Sequence, residues 1–337
     1  MWDQERAEPR LLPLPEISRS MGLTETPVIP SAIYLYHGND WRSQLGRWPF
    51  VERRWLLGRQ AHIGRVALEM TWDGPSKNYV ESFKPLLGRE ATRIMTRANG
   101  KAWSAREVTR IYIRELLRAA HENYHEKIRD LTVTVPVDAF ETYRAELRDI
   151  LERLGVRRIQ MVDEPVAAAL GYGLNTEREL NLLVFDFGGG TLHCAVVRTT
   201  GPGKAGTPAE VVAKQGLNLG GNNVDVWLLE HFARQAGIDP ALWRGTEWYQ
   251  ALLDGCQELK ESLYSQEVCQ LTLQDRVMIE LGMRGKDRPE LSRDQLIELL
   301  REHGLYSDMQ RTIELALAEA ATKGVAKEDI DEVIVVG

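Results

Sequence analysis

The sequence predicts an α/β fold divided into two lobes. Between residues 104 and 175, segments typical of helices and strands alternate, and a strand pair joined by glycines follows at 182–198. A chain of 337 residues is longer than one hydrophobic core usually covers, so more than one compact unit is expected. Contents of 43% hydrophobic and 27% charged residues are ordinary for a globular protein.

The first part of the chain has the weaker structural signals. Residues 1–30 are rich in proline and are predicted to be irregular, with one short strand at 10–17. Residues 31–36 have the β-branched and aromatic composition of a strand. Three tryptophans follow, and we interpret them as packing residues because tryptophan is buried on average and a base-stacking platform would be basic. They are Trp41, Trp48 and Trp55.

The α/β region begins with a clear helix signal. Ser104 and Glu107 have the spacing of a capping box, and apolar residues then recur at helical spacing, which predicts a helix over 104–128. A strand, a helix, a strand and a helix of small residues are predicted next, at 131–137, 140–154, 157–165 and 166–174. After the glycine segment, further strands are predicted at 209–216, 269–281 and 329–337, and helices at 219–237, 240–264, 291–300 and 307–323.

The most informative segment is 182–198, where two apolar strands flank Gly188–Gly190. Three glycines remove every Cβ from the turn, so that backbone N–H groups can close around an anion such as a phosphate. A branched side chain at Gly189 is expected to block that approach and to forbid a positive φ. Asp186 can hold a divalent metal through water, and Thr191 adds a hydroxyl. For this segment alone, an ordinary glycine-rich hairpin is an equally good interpretation.

Composition excludes several classes of protein. A net charge of -7 argues against nucleic acid as the main partner. Cys194, Cys256 and Cys269 show no CxxC spacing, so neither a disulfide framework nor a zinc site is expected. No apolar run approaches the roughly 18 residues of a membrane span. These features predict a cytoplasmic protein.

Six segments, taken together, resemble the ATPase domain of the seventy-kilodalton heat-shock chaperones, in the actin and sugar-kinase superfamily. They are LTVTVPV, VDEPVAAALGYGL, LLVFDFGGGTLH, VVAKQGLNLGGNNVDVWL, ELKESL and EDIDEVIVVG, in family order. Weaker matches lie in TPVIPSAIYLY, WLLGRQA and YVESFKPLLGR, so the resemblance covers 24–337. It implies a two-lobed actin-like ATPase fold of mixed sheets flanked by helices, with an incomplete first lobe at 31–175 and a second lobe at 176–337.

The resemblance also implies roles for single residues. Gly188–Thr191 match the hairpin that wraps the β and γ phosphates of ATP or ADP, and Asp186 matches a carboxylate that holds Mg²⁺ through water. Glu164 matches a carboxylate near the metal and the attacking water, although a glutamate at a helix start more often only favours the helix dipole. Lys84 matches the catalytic lysine that stabilises charge on the transferring phosphate, although an isolated lysine usually faces solvent.

The resemblance implies that four further residues lie close to the nucleotide. Gly220 and Gly221 match a loop that approaches it, so Gly188–Thr191 and this loop are expected on facing sides of a cleft. Lys260 matches a residue beside the adenosine, and Gly337 matches the first glycine of the adenosine motif.

The chain also departs from the family pattern. His193 stands where the family has an aspartate that helps to hold a monovalent cation. The resemblance therefore does not decide whether this chain binds such a cation or how fast it hydrolyses ATP. Gln257, Glu261 and Tyr264 replace residues that commonly line the adenine pocket, so altered adenine packing is expected.

A first phosphate loop of the DLGTT type would precede Thr26 and Pro27 in the family, and this chain shows none. The peptide-binding domain is also missing. We therefore expect a fragment that hydrolyses ATP poorly.

The resemblance implies an ATP-binding and hydrolysing domain of a chaperone-like protein, in which the nucleotide state drives lobe closure. One alternative is a nucleotide-binding or degenerate scaffold with little turnover. Another is a small-molecule kinase of the same superfamily. Implied partners are the nucleotide, co-chaperones, and unfolded polypeptides bound through a domain outside this chain.

Overall fold

A computed structural model of the chain describes most of its residues. They are 2–3, 8–9, 11–21, 24–36, 59–71, 76–98, 100–125, 127–136, 141–171, 178–200, 209–237, 239–243, 249–273 and 288–337. The three clustered tryptophans lie outside these ranges. Two compact units are present, one of Met1–Val133 with Ala139–Gln160 and one of Thr134–Asp138 with Met161–Gly337. We call them the first and the second unit.

The first unit consists of short strands and a few helices. Its strands are β1 (Trp2–Asp3), β2 (Glu8–Pro9), β3 (Arg19–Met21), β4 (Thr24–Val28), β5 (Ala32–Leu35), β6 (Ala61–Ile63), β7 (Tyr79–Glu81), β8 (Ile94–Ala98) and β9 (Lys101–Ser104). Its helices are α1 (Arg65–Glu69), α2 (Ala105–Tyr124) and α3 (Glu141–Arg153), with a 3₁₀ turn at Lys84–Leu86. Strands β10 (Asp130–Val135) and β11 (Arg158–Asp163) pair with each other and run into the second unit.

The beginning of the chain differs from the prediction. The strand expected at 10–17 is missing over its described residues 11–17, where 15–17 form a turn instead. Two prolines in this stretch have no N–H to donate to a neighbouring strand, which explains the outcome. The short antiparallel pairs β1–β2 and β3–β4 form on either side of it.

Helix α2 forms as its sequence predicts, although it ends earlier. The Glu107 carboxylate accepts a hydrogen bond from the Ser104 backbone N–H at 3.0 Å, and the Ser104 hydroxyl accepts one from Glu107 N–H at 3.3 Å. The apolar stripe, including Val108 and Ile111, is buried in the core of this unit. The helix stops at His125, which has a left-handed φ of 56°.

We expect Ser104→Ala to lower the free energy of unfolding by about 1 kcal/mol, because it leaves an N–H of the first turn without its acceptor. Urea denaturation measures the change. Ser307→Ala, on an exposed helical surface, is the matched control and should cause no loss. Equal stability of Ser104→Ala and the wild type would show that the cap contributes nothing.

The second unit carries the longer elements. Its helices are α4 (Glu164–Gly171), α5 (Gly221–Gln235), α6 (Pro240–Trp243), α7 (Tyr249–Ser262), α8 (Arg293–Glu302) and α9 (Leu305–Thr322). Its strands are β12 (Asn181–Phe187), β13 (Leu192–Thr199), β14 (Ala209–Leu217), β15 (Val268–Gln270), β16 (Glu290–Ser292) and β17 (Glu332–Val336). No helix in the described ranges is long and apolar enough to cross a membrane.

A four-stranded sheet in the order β14-β13-β12-β17 is the centre of this unit. Strands β12 and β13 are antiparallel, and β17 runs parallel to β12. Successive side chains of a strand point to opposite faces of the sheet, so a different helix packs against each face. Val184 and Ala195 pack against Val166 and other residues of α4. The opposite face packs against the small residues of α9, such as Ala316.

Candidate functional site

The glycine turn joins β12 to β13, as predicted. Gly188 N–H donates to the carbonyl of Thr191 at 3.0 Å, which closes the turn. None of Gly188, Gly189 and Gly190 has a positive φ. The expectation that a side chain at Gly189 would conflict with a positive φ is therefore wrong, because its backbone lies outside the left-handed region.

The carbonyls of the turn are engaged by the start of α5. Gly221 N–H donates to the Gly188 carbonyl at 3.0 Å, and Asn222 N–H donates to the Gly189 carbonyl at 2.7 Å. Among the described residues, none accepts a hydrogen bond from the backbone N–H of Gly189 or Gly190. The carbonyls of Gly188 and Gly189 are thus engaged by the protein, whereas the N–H groups of Gly189 and Gly190 are available to a ligand.

The space around the turn is open. A Cβ placed on Gly190 would meet no atom within 4 Å, and one on Gly188 would meet none closer than 3.7 Å. At Gly189, the nearest atom would be Asn222 Oδ1 at 3.3 Å. The packing of the chain itself therefore does not require glycine at 188 and 190, and the space beside the turn at 188–190 has room for a ligand.

Gly220 has the opposite environment. A Cβ there would lie 2.5 Å from the Gly188 carbonyl oxygen and 2.7 Å from atoms of Gly189, so the two loops touch. Both loops belong to the second unit. The expectation that the two loops lie on facing sides of a cleft is wrong, because their backbones contact each other within one unit. Gly220 is needed because another backbone lies against it.

Lys260 connects α7 to the start of α5. Its ammonium lies 2.6 Å from Asp225 Oδ1 and donates to the Gly221 carbonyl at 2.9 Å. The exposed fractions of the Lys260 and Asp225 side chains are 22% and 9%. This pairing supports the loop at Gly220 and Gly221, and local spacing in the sequence did not reveal it because the two residues lie on different helices, α5 and α7.

Three polar side chains meet at the end of the sheet beside the turn. Asp186 and His193 are cross-strand partners on β12 and β13, and Glu164 is the first residue of α4, which covers the same face. One ligand atom from each of the three lies within 4.8 Å of the others. Burial raises the pKa of the Asp186 carboxyl above its ordinary value, and the charge of His193 opposes this rise.

Gly337 follows β17, whose Val336 lies beside Asp186 in the parallel register. Its φ is 121°, in the region that favours glycine, and a Cβ would collide with the backbone of Phe187. A glycine is therefore required at this position for two independent reasons.

Comparison with known proteins identifies the family. Residues 62–337 match the family model described as Hsp70 protein. The chain belongs to the Hsp70 family. A curated relative, the chaperone protein dnaK of Cyanidioschyzon merolae (strain NIES-3377 / 10D), is 29% identical over 255 residues. The match covers 74% of this chain and 40% of the relative, so the chain spans less than half of the relative's length.

Membership confirms the resemblance drawn from the six segments. The fold is the α/β actin-like ATPase fold, and the chain carries a nucleotide-binding domain of the chaperone type. The site residues of the second unit converge on one end of its sheet: Glu164, Asp186 and His193 form a cluster, and the glycine turn lies next to it. A Cβ on Gly188 would be 3.8 Å from Asp186 Oδ1.

Lys84, which matches the Hsp70 catalytic lysine, belongs to the first unit. It is exposed and begins the 3₁₀ turn after Phe83, which is fully buried. Ser82 has a positive φ of 53°, an uncommon conformation for a residue with a side chain. This backbone kink, which the sequence did not predict, sets the direction of the chain into Lys84.

The positions that replace adenine-pocket residues of Hsp70 proteins lie on or just after α7. Gln257 Nε2 donates to Glu261 Oε1 at 2.8 Å, so these two side chains bind each other. Tyr264 is 76% exposed. Altered adenine packing stays a prediction, as does the position of Lys260 beside the adenosine.

Proposed function

We propose that the chain binds ATP and ADP with the phosphates seated on the turn at 188–191. The supporting observation is that α5 engages the carbonyls of Gly188 and Gly189, while the N–H groups of Gly189 and Gly190 have no acceptor among the described residues. The open space at Gly190 permits the close backbone approach that phosphate binding needs.

Mg²⁺ fits the oxygen donors of this site. Asp186 and Glu164 offer carboxylates next to the turn, and Mg²⁺ is commonly held by one or two carboxylates and by water. When bound, the ion would neutralise charge on the phosphates. Glu164 would orient the attacking water, and Lys84 would stabilise charge on the transferring phosphate. Hydrolysis would then be coupled to lobe closure, as in other hinge-closing proteins.

We expect ADP with Mg²⁺ to raise the melting temperature of the nucleotide-free chain. At a concentration of about 100 times the Kd, the stabilisation is about 2.7 kcal/mol, or roughly 4 °C for a chain of this length. Differential scanning fluorimetry measures this shift. AMP is the matched control, because it lacks the phosphate that the turn would hold and should stabilise much less. Equal shifts with ADP and AMP, or none with either, would contradict the proposal.

A second candidate function is a nucleotide-binding scaffold with little turnover, and the observation that favours it is His193 within the cluster. Phosphate release distinguishes the two functions. A scaffold that lost turnover through this residue should bind ADP normally, release little phosphate, and gain turnover in His193→Asp. An ATPase should release phosphate without that change.

The remaining parts of the proposal follow from the family. We infer a cytoplasmic chaperone that responds to co-chaperones and acts on unfolded polypeptides through a domain outside this chain. A small-molecule kinase is tested by the same phosphate assay, since a sugar-dependent rise in ATP turnover would favour it.

A further inference from the structure

The cluster beside the glycine turn has a ligand set that differs from an all-oxygen magnesium site. Glu164 and Asp186 offer carboxylate oxygens, whereas His193 offers an imidazole nitrogen. We propose that these three side chains bind a divalent transition-metal ion, of which Zn²⁺ is the representative, by direct coordination.

The fold brings the three side chains together from different elements. The register of β12 and β13 places Asp186 opposite His193, and side chains of such a pair lie on one face with Cβ atoms about 4.5–5.5 Å apart. Helix α4 covers this face and presents Glu164 from its first residue. The site is therefore built on two strands and a helix.

The neighbouring strand makes room for the imidazole. Gly216 on β14 lies next to His193, and a Cβ there would be 2.7 Å from the ring atom Cδ2. His193 is 5% exposed, whereas Glu164 and Asp186 are half-buried. The imidazole is thus buried beside β14, whereas the two carboxylates are partly accessible to solvent.

The distances suit direct coordination after a small adjustment. Zinc lies about 2.0–2.2 Å from nitrogen and oxygen ligands, which places tetrahedral donors roughly 3.4 Å apart. The donor atoms here are within 4.8 Å of one another, so side-chain movements of about 1 Å would complete the site. Three protein ligands leave a fourth position for water or a phosphate oxygen.

The chemistry of the donors selects the class of metal. Imidazole suits Zn²⁺ and other transition metals, whereas Mg²⁺ prefers oxygen ligands and retains water. Two carboxylates and a neutral imidazole carry a charge of about -2, which matches a divalent cation. The expectation of no zinc site rested on cysteine spacing and did not consider a cluster assembled from residues 164, 186 and 193.

This inference deepens the proposed function, on which its role toward nucleotide rests, but binding of the metal itself needs no nucleotide. The experiment therefore uses the full chain, stripped of metal with a chelator and kept free of nucleotide. Isothermal titration calorimetry with ZnCl₂ and, separately, with MgCl₂ measures affinity. We expect Zn²⁺ to bind with one ion per chain at the cluster and at least tenfold more tightly than Mg²⁺.

His193→Asn tests the nitrogen donor. It should lower the affinity for Zn²⁺ at least tenfold and leave that for Mg²⁺ within about twofold. His231→Asn is the matched control, since this histidine lies on α5 and contacts Gln235 instead of the cluster. It should change neither affinity. Circular dichroism verifies that each variant is folded, and His193→Asp replaces the nitrogen by oxygen if His193→Asn does not fold.

A spectroscopic measurement provides a second readout. With Cu²⁺, another metal that imidazole suits, as the probe, electron spin echo modulation should detect a bound imidazole nitrogen in the wild type but not in His193→Asp. Unchanged Zn²⁺ affinity in a folded His193 variant, or no bound nitrogen in the wild type, would overturn the inference. Failure of ADP to stabilise the chain would instead count against the proposed nucleotide binding and would leave these metal results intact.

Discussion

Lys260→Met is expected to lower the free energy of unfolding by about 3 kcal/mol. The change removes the ammonium that lies 2.6 Å from Asp225 Oδ1 and leaves that carboxylate buried on α5. Removing one partner of a buried ion pair typically costs about 3–5 kcal/mol, and the lower end applies because Lys260 is partly exposed. Urea denaturation measures the change, provided that the variant and the wild type have the same dependence of unfolding free energy on urea concentration.

Two variants control this experiment. Lys327→Met removes an exposed lysine and should change the free energy of unfolding by less than about 0.5 kcal/mol. Adding Asp225→Asn to Lys260→Met removes the charge that has lost its lysine partner and should recover a substantial part of the loss. A loss below about 1 kcal/mol in Lys260→Met, or no recovery in the double variant, would show that this pair does not stabilise the fold.

Gly190→Val is expected to lower the affinity for ADP at least tenfold, or about 1.4 kcal/mol, without a comparable loss of stability. The valine would occupy the open space over the turn and keep a phosphate away from the N–H groups of Gly189 and residue 190. Since the backbone at 190 has no positive φ, the substitution does not force a valine into the left-handed region. Calorimetric titration with ADP and Mg²⁺ measures the affinity.

Gly171→Val is the matched control for Gly190→Val, because a Cβ there also meets no atom within 4 Å. It should leave the affinity for ADP unchanged. Gly220→Ala provides a contrast, since its Cβ would press on Gly188 and should reduce both stability and affinity. Wild-type affinity in a folded Gly190→Val would mean that this turn does not hold phosphate.

Local signals in the sequence were enough to predict several elements. Ser104 and Glu107 lie three residues apart, so their capping box depends on one turn of helix and forms wherever that helix forms. The hairpin at 188–191 could also be predicted from the sequence, because glycines between two apolar runs permit a short turn. The prediction at 10–17 was wrong because it gave too little weight to two prolines, which have no N–H to donate to a neighbouring strand.

The sequence by itself determined the α/β class, the glycine hairpin, helix α2 and, through its six segments, membership of the Hsp70 family. Only the tertiary structure decided why Gly220 is a glycine, that Lys260 pairs with Asp225, and how closely the ligand atoms of Glu164, Asp186 and His193 approach one another. The physical reason is the distance along the chain between the residues that interact. Capping and turn formation depend on neighbours along the chain, whereas these contacts depend on strand register and on which helix covers a face of the sheet, which local spacing does not encode.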